Sequence, residues 1–217
     1  MQNEKLLIVA IRGANGMPEL EKGAEGLYNK YSGRTTINKE VEMVYVTSNG
    51  EISSRKGKLT LAEGDKLGMY VVSHCHDFGE SICDNNNLVT NVKKNILDEK
   101  NKDGNYILDK VGLVVCIAAK LTNKTGPEVL NDENEKIMIS RFAKLLLAAG
   151  LHPRLTGWIG YVTVDETGKK RIIGSSNLKE DYASEMSVSK EKQKMVYVWE
   201  SSTGYVRKDF KSWTDKK

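Results

Sequence analysis

Each of two short apolar runs is followed within two residues by a side chain suited to catalysis. The runs cover residues 67–72 and 111–115, and both are continuous rather than alternating. Continuous apolar runs are typical of parallel strands that are buried on both faces of a sheet. His74 follows the first run, and Cys116 follows the second. The segment between the two runs is long enough for a crossover helix.

The same patterns predict the other elements of the chain. The predicted strands are 5–11, 42–47, 58–65 (with a turn), 67–73, 111–115, 154–164, 170–173, 195–199 and 205–207, and the predicted helices are 18–31, 88–97 and 131–149. Strands that alternate with helices indicate an α/β fold, here three layers around a mostly parallel sheet. We assign residues 1–175 to this domain. Residues 176–217 are a basic C-terminal extension whose β-hairpin is an appendage packed on the same domain.

Composition supports a folded domain of this size. Hydrophobic residues make up 39% of the 217 residues and charged residues 29%, which is enough apolar material for a core. The net charge is +4, and residues 190–217 hold eight Lys and Arg against four Asp and Glu, which accounts for the whole excess. A basic tail can meet an acidic protein, nucleic acid or a phosphorylated ligand, but a solvated chain end is the interpretation we favour.

The cysteine count and the apolar runs bear on the compartment. The chain has three cysteines, an odd number, and it is not small, so a disulfide framework is not expected. We expect free thiols. The apolar run 6–11 is too short for a signal-peptide core, and no run approaches the roughly 20 residues of a membrane span. We therefore expect a cytoplasmic protein, or one secreted without a signal peptide, with no transmembrane segment.

His74 and Cys116 are the first candidates for a catalytic pair. The carboxyl ends of neighbouring parallel strands meet at one edge of a sheet, where ligands of open α/β folds bind. A thiol and an imidazole at that edge can act as nucleophile and base. On position alone, a small buried core residue is the more common interpretation of Cys116. An alternative is a zinc-dependent hydrolase, because His74 and His76 are alternate residues that could bind one metal ion. Further possible ligands are Asp77, Cys83 and His152.

Two other residues are candidates for substrate binding. Arg12 opens the glycine-containing loop after the first strand, so it would lie at the same sheet edge. Trp158 lies between Gly157 and Gly160 in a strand, and glycine permits the close approach of another backbone. Core packing is the simpler interpretation of Trp158.

The order of these residues resembles the caspase–clostripain–gingipain clan of cysteine peptidases, and most closely the self-processing peptidases of large bacterial toxins. In that clan an apolar strand ends in His and the next ends in the catalytic Cys, as 70–74 and 113–116 do here. The resemblance covers roughly residues 6–173. It implies a caspase-like fold and a bacterial cysteine endopeptidase or peptidase-like effector.

The resemblance also assigns roles to residues. It makes Cys116 the nucleophile and His74 the general base, with the backbone N–H groups of Cys75 and Cys116 as the oxyanion hole. We expect a protein or peptide substrate, a phosphorylated small molecule as candidate activator, and no cofactor, membrane or nucleic acid. Cys75 stands where the clan usually has glycine, which supports the alternative of a catalytically silent caspase-like binding module.

Overall fold

The computed structural model of this chain is organised around one eight-stranded sheet. It describes residues 5–12, 18–33, 40–74, 87–100, 106–115, 138–158, 161–173, 194–201 and 204–208. These residues form the strands β1 (Lys5–Ile11), β2 (Glu40–Val46), β3 (Ile52–Gly57), β4 (Lys66–Val72), β5 (Ile107–Val114), β6 (Arg154–Trp158), β7 (Tyr161–Val164), β8 (Lys170–Ile173), β9 (Lys194–Glu200) and β10 (Gly204–Lys208). The large sheet has the order β10-β9-β6-β5-β4-β1-β2-β3, and β7 and β8 form a second sheet.

The centre of the large sheet is parallel. Strands β2, β1, β4, β5 and β6 lie side by side in the same direction. Every residue of β1 is buried, as expected for a strand that is covered on both faces. The outer strands β3, β9 and β10 are antiparallel to their neighbours. The predicted α/β fold with a mostly parallel sheet is therefore confirmed.

Helices lie on both faces of the large sheet. They are α1 (Pro18–Ser32), α2 (Asn87–Val92) and α3 (Met138–Ala148). Helix α2 continues through a π-helical turn, Lys93–Leu97, and a last turn, Asp98–Lys100. The first two predicted helices are confirmed. Residues 131–137 of the third lie outside the described residues.

The alternation of side chains along the strands produces two cores. On one face, Leu7 of β1 packs in a cluster with Leu88 of α2 and Phe142 of α3. On the other face, Ile8 of β1 packs with Ala24 and Leu27 of α1. Because neighbouring strand residues point to opposite faces, one continuous apolar strand supplies both cores.

The predicted single strand over residues 154–164 is wrong. Strand β6 ends at Trp158 in the large sheet, and β7 begins at Tyr161 in the second sheet. Val162 and Val164 of β7 are buried in the core cluster that contains Ala24 and Leu27 of α1. The chain therefore leaves the large sheet after Trp158 and places β7 over α1, a change that continuous β-propensity does not reveal.

The β7–β8 turn approaches α1 closely. A methyl group added at Gly26 would lie 2.8 Å from the carbonyl oxygen of Glu166, closer than real Cβ contacts allow. Lys30 Nζ donates a hydrogen bond to the carbonyl oxygen of Gly168 at 2.8 Å. Glycine at position 26 thus permits backbone-to-backbone packing that a side chain would prevent.

Two further predictions differ from the structure. Residues 58–65 contain no strand, and the strand that precedes them is β3, which pairs antiparallel with β2. The predicted C-terminal appendage forms part of the large sheet, because β9 pairs with β6 and β10 pairs with β9. Residues from both predicted segments, 1–175 and 176–217, therefore contribute to one sheet.

A buried carboxylate joins β2, β3 and the end of α2. The Glu42 side chain is only 2% exposed and forms an ion pair with Lys100 Nζ, itself 9% exposed. Its oxygens also accept the Leu59 N–H at 2.8 Å and contact Arg55 Nη1 at 3.4 Å. A buried carboxylate needs such partners, because removing it from water is costly.

A second ion pair lies at the amino ends of β1 and β2. Lys5 Nζ donates to Glu40 Oε1 at 2.7 Å, and the Thr60 N–H donates to Glu40 Oε2 at 2.9 Å. Burial raises the pKa of Glu40, but the hydrogen bonds from Lys5 and Thr60 outweigh it and lower this pKa to about 2. The charged form of Glu40 is therefore stabilised by folding.

Candidate functional site

Strands β4 and β5 are direct neighbours and end side by side. They run parallel, and Val72 lies opposite Val114 in the register. The Ser73 N–H continues this pairing by donating to the Val114 carbonyl oxygen at 3.3 Å. His74 follows Val72 by two residues, as Cys116 follows Val114. The register places His74 at the edge of the sheet where β5 also ends, and Cys116 lies outside the described residues.

The backbone before the imidazole is well anchored. Val72 and Ser73 are buried, and Ser73 Oγ donates to the His74 carbonyl oxygen at 3.1 Å. His74 itself is exposed at the strand end. An exposed imidazole on a buried strand can reach a bound substrate while its backbone stays fixed, which suits proton transfer.

The zinc alternative gains no support from the described residues. His76 lies outside them, as does Cys75. His152 is described, but it precedes β6, whereas His74 follows the parallel strand β4, so the two lie at opposite ends of the sheet. The His152 ring instead contacts Trp199, with 4.9 Å between ring centroids. Within the described ranges, no three His, Cys, Asp or Glu side chains are placed to hold a metal ion.

Arg12 lies at the expected sheet edge but contacts α1 and β2. Its N–H donates to the Val46 carbonyl oxygen at 2.8 Å, which extends the β1–β2 pairing. Its guanidinium carbon lies 4.2 Å from the Tyr45 ring centroid, and its Nε is 2.9 Å from Glu21 Oε1, an ion pair without hydrogen-bond geometry. These contacts favour a structural role for Arg12 over substrate binding.

Tyr45 lies beside two acidic side chains of α1, Glu21 and Glu25. Its hydroxyl donates to Glu25 Oε1 at 3.4 Å. Burial, followed by the charges of Glu25 and Glu21, raises the pKa of Tyr45 to about 12. The carboxylate of Glu21 therefore offsets the charge of Arg12, and a substrate anion would have to compete with it.

Trp158 is mostly buried and belongs to the core on the α1 face. It is 8% exposed and shares its apolar cluster with Val72 and Val114, the last residues of β4 and β5. The indole therefore supports the strand ends that precede His74 and Cys116. The core interpretation of Trp158 fits the structure better than a substrate-lining groove.

A group of four cations comes from strands β5, β6, β8 and β9, on the face of the sheet that α1 covers. We call Lys110, Arg154, Lys170 and Lys194 the basic cluster. Lys110 and Arg154 are direct partners in the β5–β6 register, and Lys194 lies opposite Trp158 in the β6–β9 register. The charges of the other three cluster members all act on Lys194. Such a concentration of positive charge attracts anions.

Tyr70 and Gly112 form the floor of the basic cluster. A methyl group at Gly112 would lie 2.7 Å from Tyr70 Cε1 and 3.3 Å from Thr156 Oγ1, so the tyrosine ring lies flat across the glycine. Lys170 Nζ is 3.8 Å from the Tyr70 ring centroid, and Tyr31 stacks on the same tyrosine with 5.8 Å between centroids. Glycine at position 112 therefore leaves the space that the Tyr70 ring occupies.

Burial changes the pKa of cations in the basic cluster. Burial lowers the pKa of Lys170, although Tyr31 acts in the opposite direction. Burial also lowers the pKa of Arg154, which the charge of Asp109 partly offsets. A bound anion would stabilise the charged forms of these side chains.

Sequence reasoning missed the basic cluster. Its members come from β5, β6, β8 and β9 and span residues 110 to 194, so they form no motif along the chain. The signal in the sequence was the excess of Lys and Arg after residue 190, which includes Lys194 alone of the four. The strand order was needed to bring the other three beside it.

A shallow apolar depression lies on the opposite face, between α2, α3 and the sheet. Its lining includes Val71, Leu88 and Phe142, and Lys93 is its one charged lining residue. It has no nucleophile or acid–base pair, so it offers no chemistry comparable to that of the strand ends.

Comparison with known proteins adds no assignment to this geometry. No family model matches the chain, and no match was found among curated proteins. Among the described helices, none is both long and apolar enough to cross a membrane.

Proposed function

We propose that this chain is a cysteine endopeptidase of the caspase-like type found in bacterial toxins and effectors, with Cys116 as nucleophile and His74 as acid–base partner. The observation that carries the proposal is the parallel pairing of β4 with β5, in which Val72 lies opposite Val114. Each proposed catalytic residue follows its paired valine by two positions. A nucleophile–base pair needs its two side chains within hydrogen-bond reach, and residues that follow neighbouring parallel strands are candidates for such a pair.

The proposed reaction has two steps. The Cys116 thiolate attacks the carbonyl carbon of a peptide bond, and the backbone N–H groups of Cys75 and Cys116 stabilise the oxyanion. His74 gives a proton to the leaving amine as the C–N bond breaks, which leaves a thioacyl enzyme. Water, activated by His74, then attacks the thioester, so that the acid product leaves and the thiol is restored.

Site-directed variants test the peptidase proposal. We would incubate the wild-type chain with a mixture of denatured proteins and identify new amino termini by mass spectrometry. Cleavage should be lost in Cys116→Ala and His74→Ala, and it should persist in the control Cys83→Ala. Cleavage that survives in Cys116→Ala would contradict the proposed nucleophile.

We further propose that the basic cluster binds a phosphorylated small molecule that activates the peptidase. Lys110 and Gly112 lie on β5, and Tyr70 lies on β4, the two strands that lead to Cys116 and His74. A polyanion bound there would neutralise the repulsion among the cations and stabilise the ends of these strands. The cluster thus provides an electrostatic reason for an activator.

Tripolyphosphate is a suitable probe of this site. It should raise the melting temperature of the wild-type chain and increase its cleavage rate, and Arg154→Gln should reduce both effects. The exposed Lys58 provides the control variant Lys58→Gln, which should behave as wild type. Equal responses of the two variants would count against the basic cluster as the activator site.

The second candidate is a catalytically silent binding module on the same fold. The basic cluster favours it, because anion binding there needs neither Cys116 nor His74. The same experiments separate the two functions. Wild-type chain that binds tripolyphosphate but cleaves no protein would support the binding module.

A further inference from the structure

Two tyrosine side chains meet where the last turn of α1 lies over strand β4. Tyr31 of α1 and Tyr70 of β4 have 5.8 Å between their ring centroids and an angle of 27° between their ring planes. Their hydroxyl oxygens are 3.2 Å apart, so one phenol donates a hydrogen bond to the other. Because the oxygens are closer together than the ring centres, the two rings converge towards their hydroxyl ends.

The hydroxyl end is where an oxidised tyrosine forms new bonds. Removal of one electron and the O–H proton leaves a phenoxyl radical, whose unpaired electron is shared between the oxygen and the ring carbons beside the C–O carbon. In tyrosine these carbons are Cε1 and Cε2, and two radicals couple through them. The convergence of Tyr31 and Tyr70 therefore places the coupling carbons at the end where the rings approach each other most closely.

Packing holds both rings in place. Tyr31 and Tyr70 are half-buried beside the core cluster on the α1 face, so an electron acceptor in solution can still approach them. The Tyr70 ring also packs on Gly112, where an added methyl group would lie 2.7 Å from Cε1, and Lys170 Nζ is 3.8 Å from the Tyr70 ring centroid. Groups held in a fixed relative position react with each other much faster than with partners that diffuse in solution.

We propose that Tyr31 and Tyr70 are a site of dityrosine formation, in which a one-electron oxidant links α1 covalently to β4. Each phenol gives up one electron and one proton, and a carbon–carbon bond then forms between one Cε atom of each ring. The hydrogens on these two carbons leave as protons, and both oxygens take up protons again as the rings regain aromaticity. Overall the pair loses two electrons to the oxidant and two protons to water. This inference does not depend on the chemistry of Cys116 and His74.

The cross-link would close a loop within the folded domain. Residues 31 and 70 are 39 positions apart, and a covalent link between them restricts the unfolded chain as a disulfide does. It would also fix the Tyr70 ring, which forms the floor of the basic cluster. We expect the cross-linked chain to unfold at a temperature about 5–10 °C higher than the unmodified chain.

Photochemical oxidation of the full chain tests the proposal. The wild-type chain is illuminated briefly with tris(bipyridine)ruthenium(II) and persulfate, which takes up two electrons to give two sulfate ions, and cross-linked peptides are identified by mass spectrometry. The pair of peptides that contains Tyr31 and Tyr70 should be about tenfold more abundant than any other tyrosine pair. Its yield should not change when the protein is diluted tenfold, because both tyrosines belong to one chain.

Phenylalanine variants complete the test. Tyr31→Phe and Tyr70→Phe should each abolish this cross-link, since phenylalanine keeps the ring but has no hydroxyl group to oxidise. Tyr28→Phe is the matched control, because Tyr28 lies one turn earlier on the same helix, 4.9 Å from Lys56 Nζ, and it should leave the yield unchanged. The wild-type measurement needs no variant to fold. A Tyr31–Tyr70 product no more abundant than other pairs, or one found only between chains, would overturn the proposal.

Discussion

Replacing Gly26 by alanine should destabilise the protein, although alanine is the better helix former. In an exposed helix interior this change stabilises by about 1 kcal/mol. Here the new methyl group would lie 2.8 Å from the Glu166 carbonyl oxygen and against that of Asp165. Both are backbone atoms of a turn that is also held by the hydrogen bond from Lys30 to Gly168. The turn therefore cannot make room without losing contacts.

The expected size follows from these opposing effects. Overpacking costs about 1–3 kcal/mol, and a rigid backbone neighbour places this site at the upper end of that range. After the gain in helix propensity, a net loss of about 2 kcal/mol in the free energy of unfolding remains. For a chain of this length, such a loss lowers the melting temperature by about 4–8 °C.

Thermal unfolding followed by circular dichroism would measure this shift. Asn29→Ala is the matched control, because Asn29 is exposed on the same helix and should gain about 0.5 kcal/mol from helix propensity. Gly26→Ala should also weaken tripolyphosphate binding, since the displaced turn leads into β8, which carries Lys170. A Gly26→Ala variant as stable as Asn29→Ala would refute the close packing of this turn on α1.

The two ion-pair sites give further predictions. Lys100→Met leaves the Glu42 carboxylate buried without its closest cation, so urea denaturation should show a loss of about 3 kcal/mol. Lys56→Met, which removes an exposed ion pair, should cost about 1 kcal/mol or less. The pKa of Glu40 is lowered by folding to about 2, so its contribution to stability is present above pH 4.5 and is lost as the pH falls towards 2. Stability curves of wild type and Glu40→Gln should therefore converge across this acidic range, and parallel curves would contradict the hydrogen bonding from Lys5.

The parallel centre of the sheet could be predicted because its strands are apolar throughout. Strand β1 is buried at every residue, and a strand covered on both faces carries a continuous signal. Strand β3 was missed because its residues are polar and largely exposed. It pairs along one edge of β2, and that pairing depends on the turn at Gly50 and on hydrogen bonds to β2 rather than on apolar periodicity.

The two parts of the candidate site differ in how far the sequence could predict them. His74 and Cys116 follow their strands directly, so a local pattern is enough to propose them. The basic cluster needs the strand order, because Lys110 and Arg154 are neighbours only through the pairing of β5 with β6. The break after Trp158 likewise depends on tertiary packing, since Val162 and Val164 are buried against α1.

The pH dependence of Cys116 alkylation tests the central claim most directly. Iodoacetamide labelling at each cysteine would be measured by mass spectrometry in wild type and His74→Ala, with and without tripolyphosphate. We predict that wild-type Cys116 reacts with a midpoint well below the ordinary thiol pKa of about 8.5, and that His74→Ala loses this reactivity. An ordinary midpoint for Cys116 in both proteins, with tripolyphosphate present, would contradict a catalytic pair of Cys116 and His74.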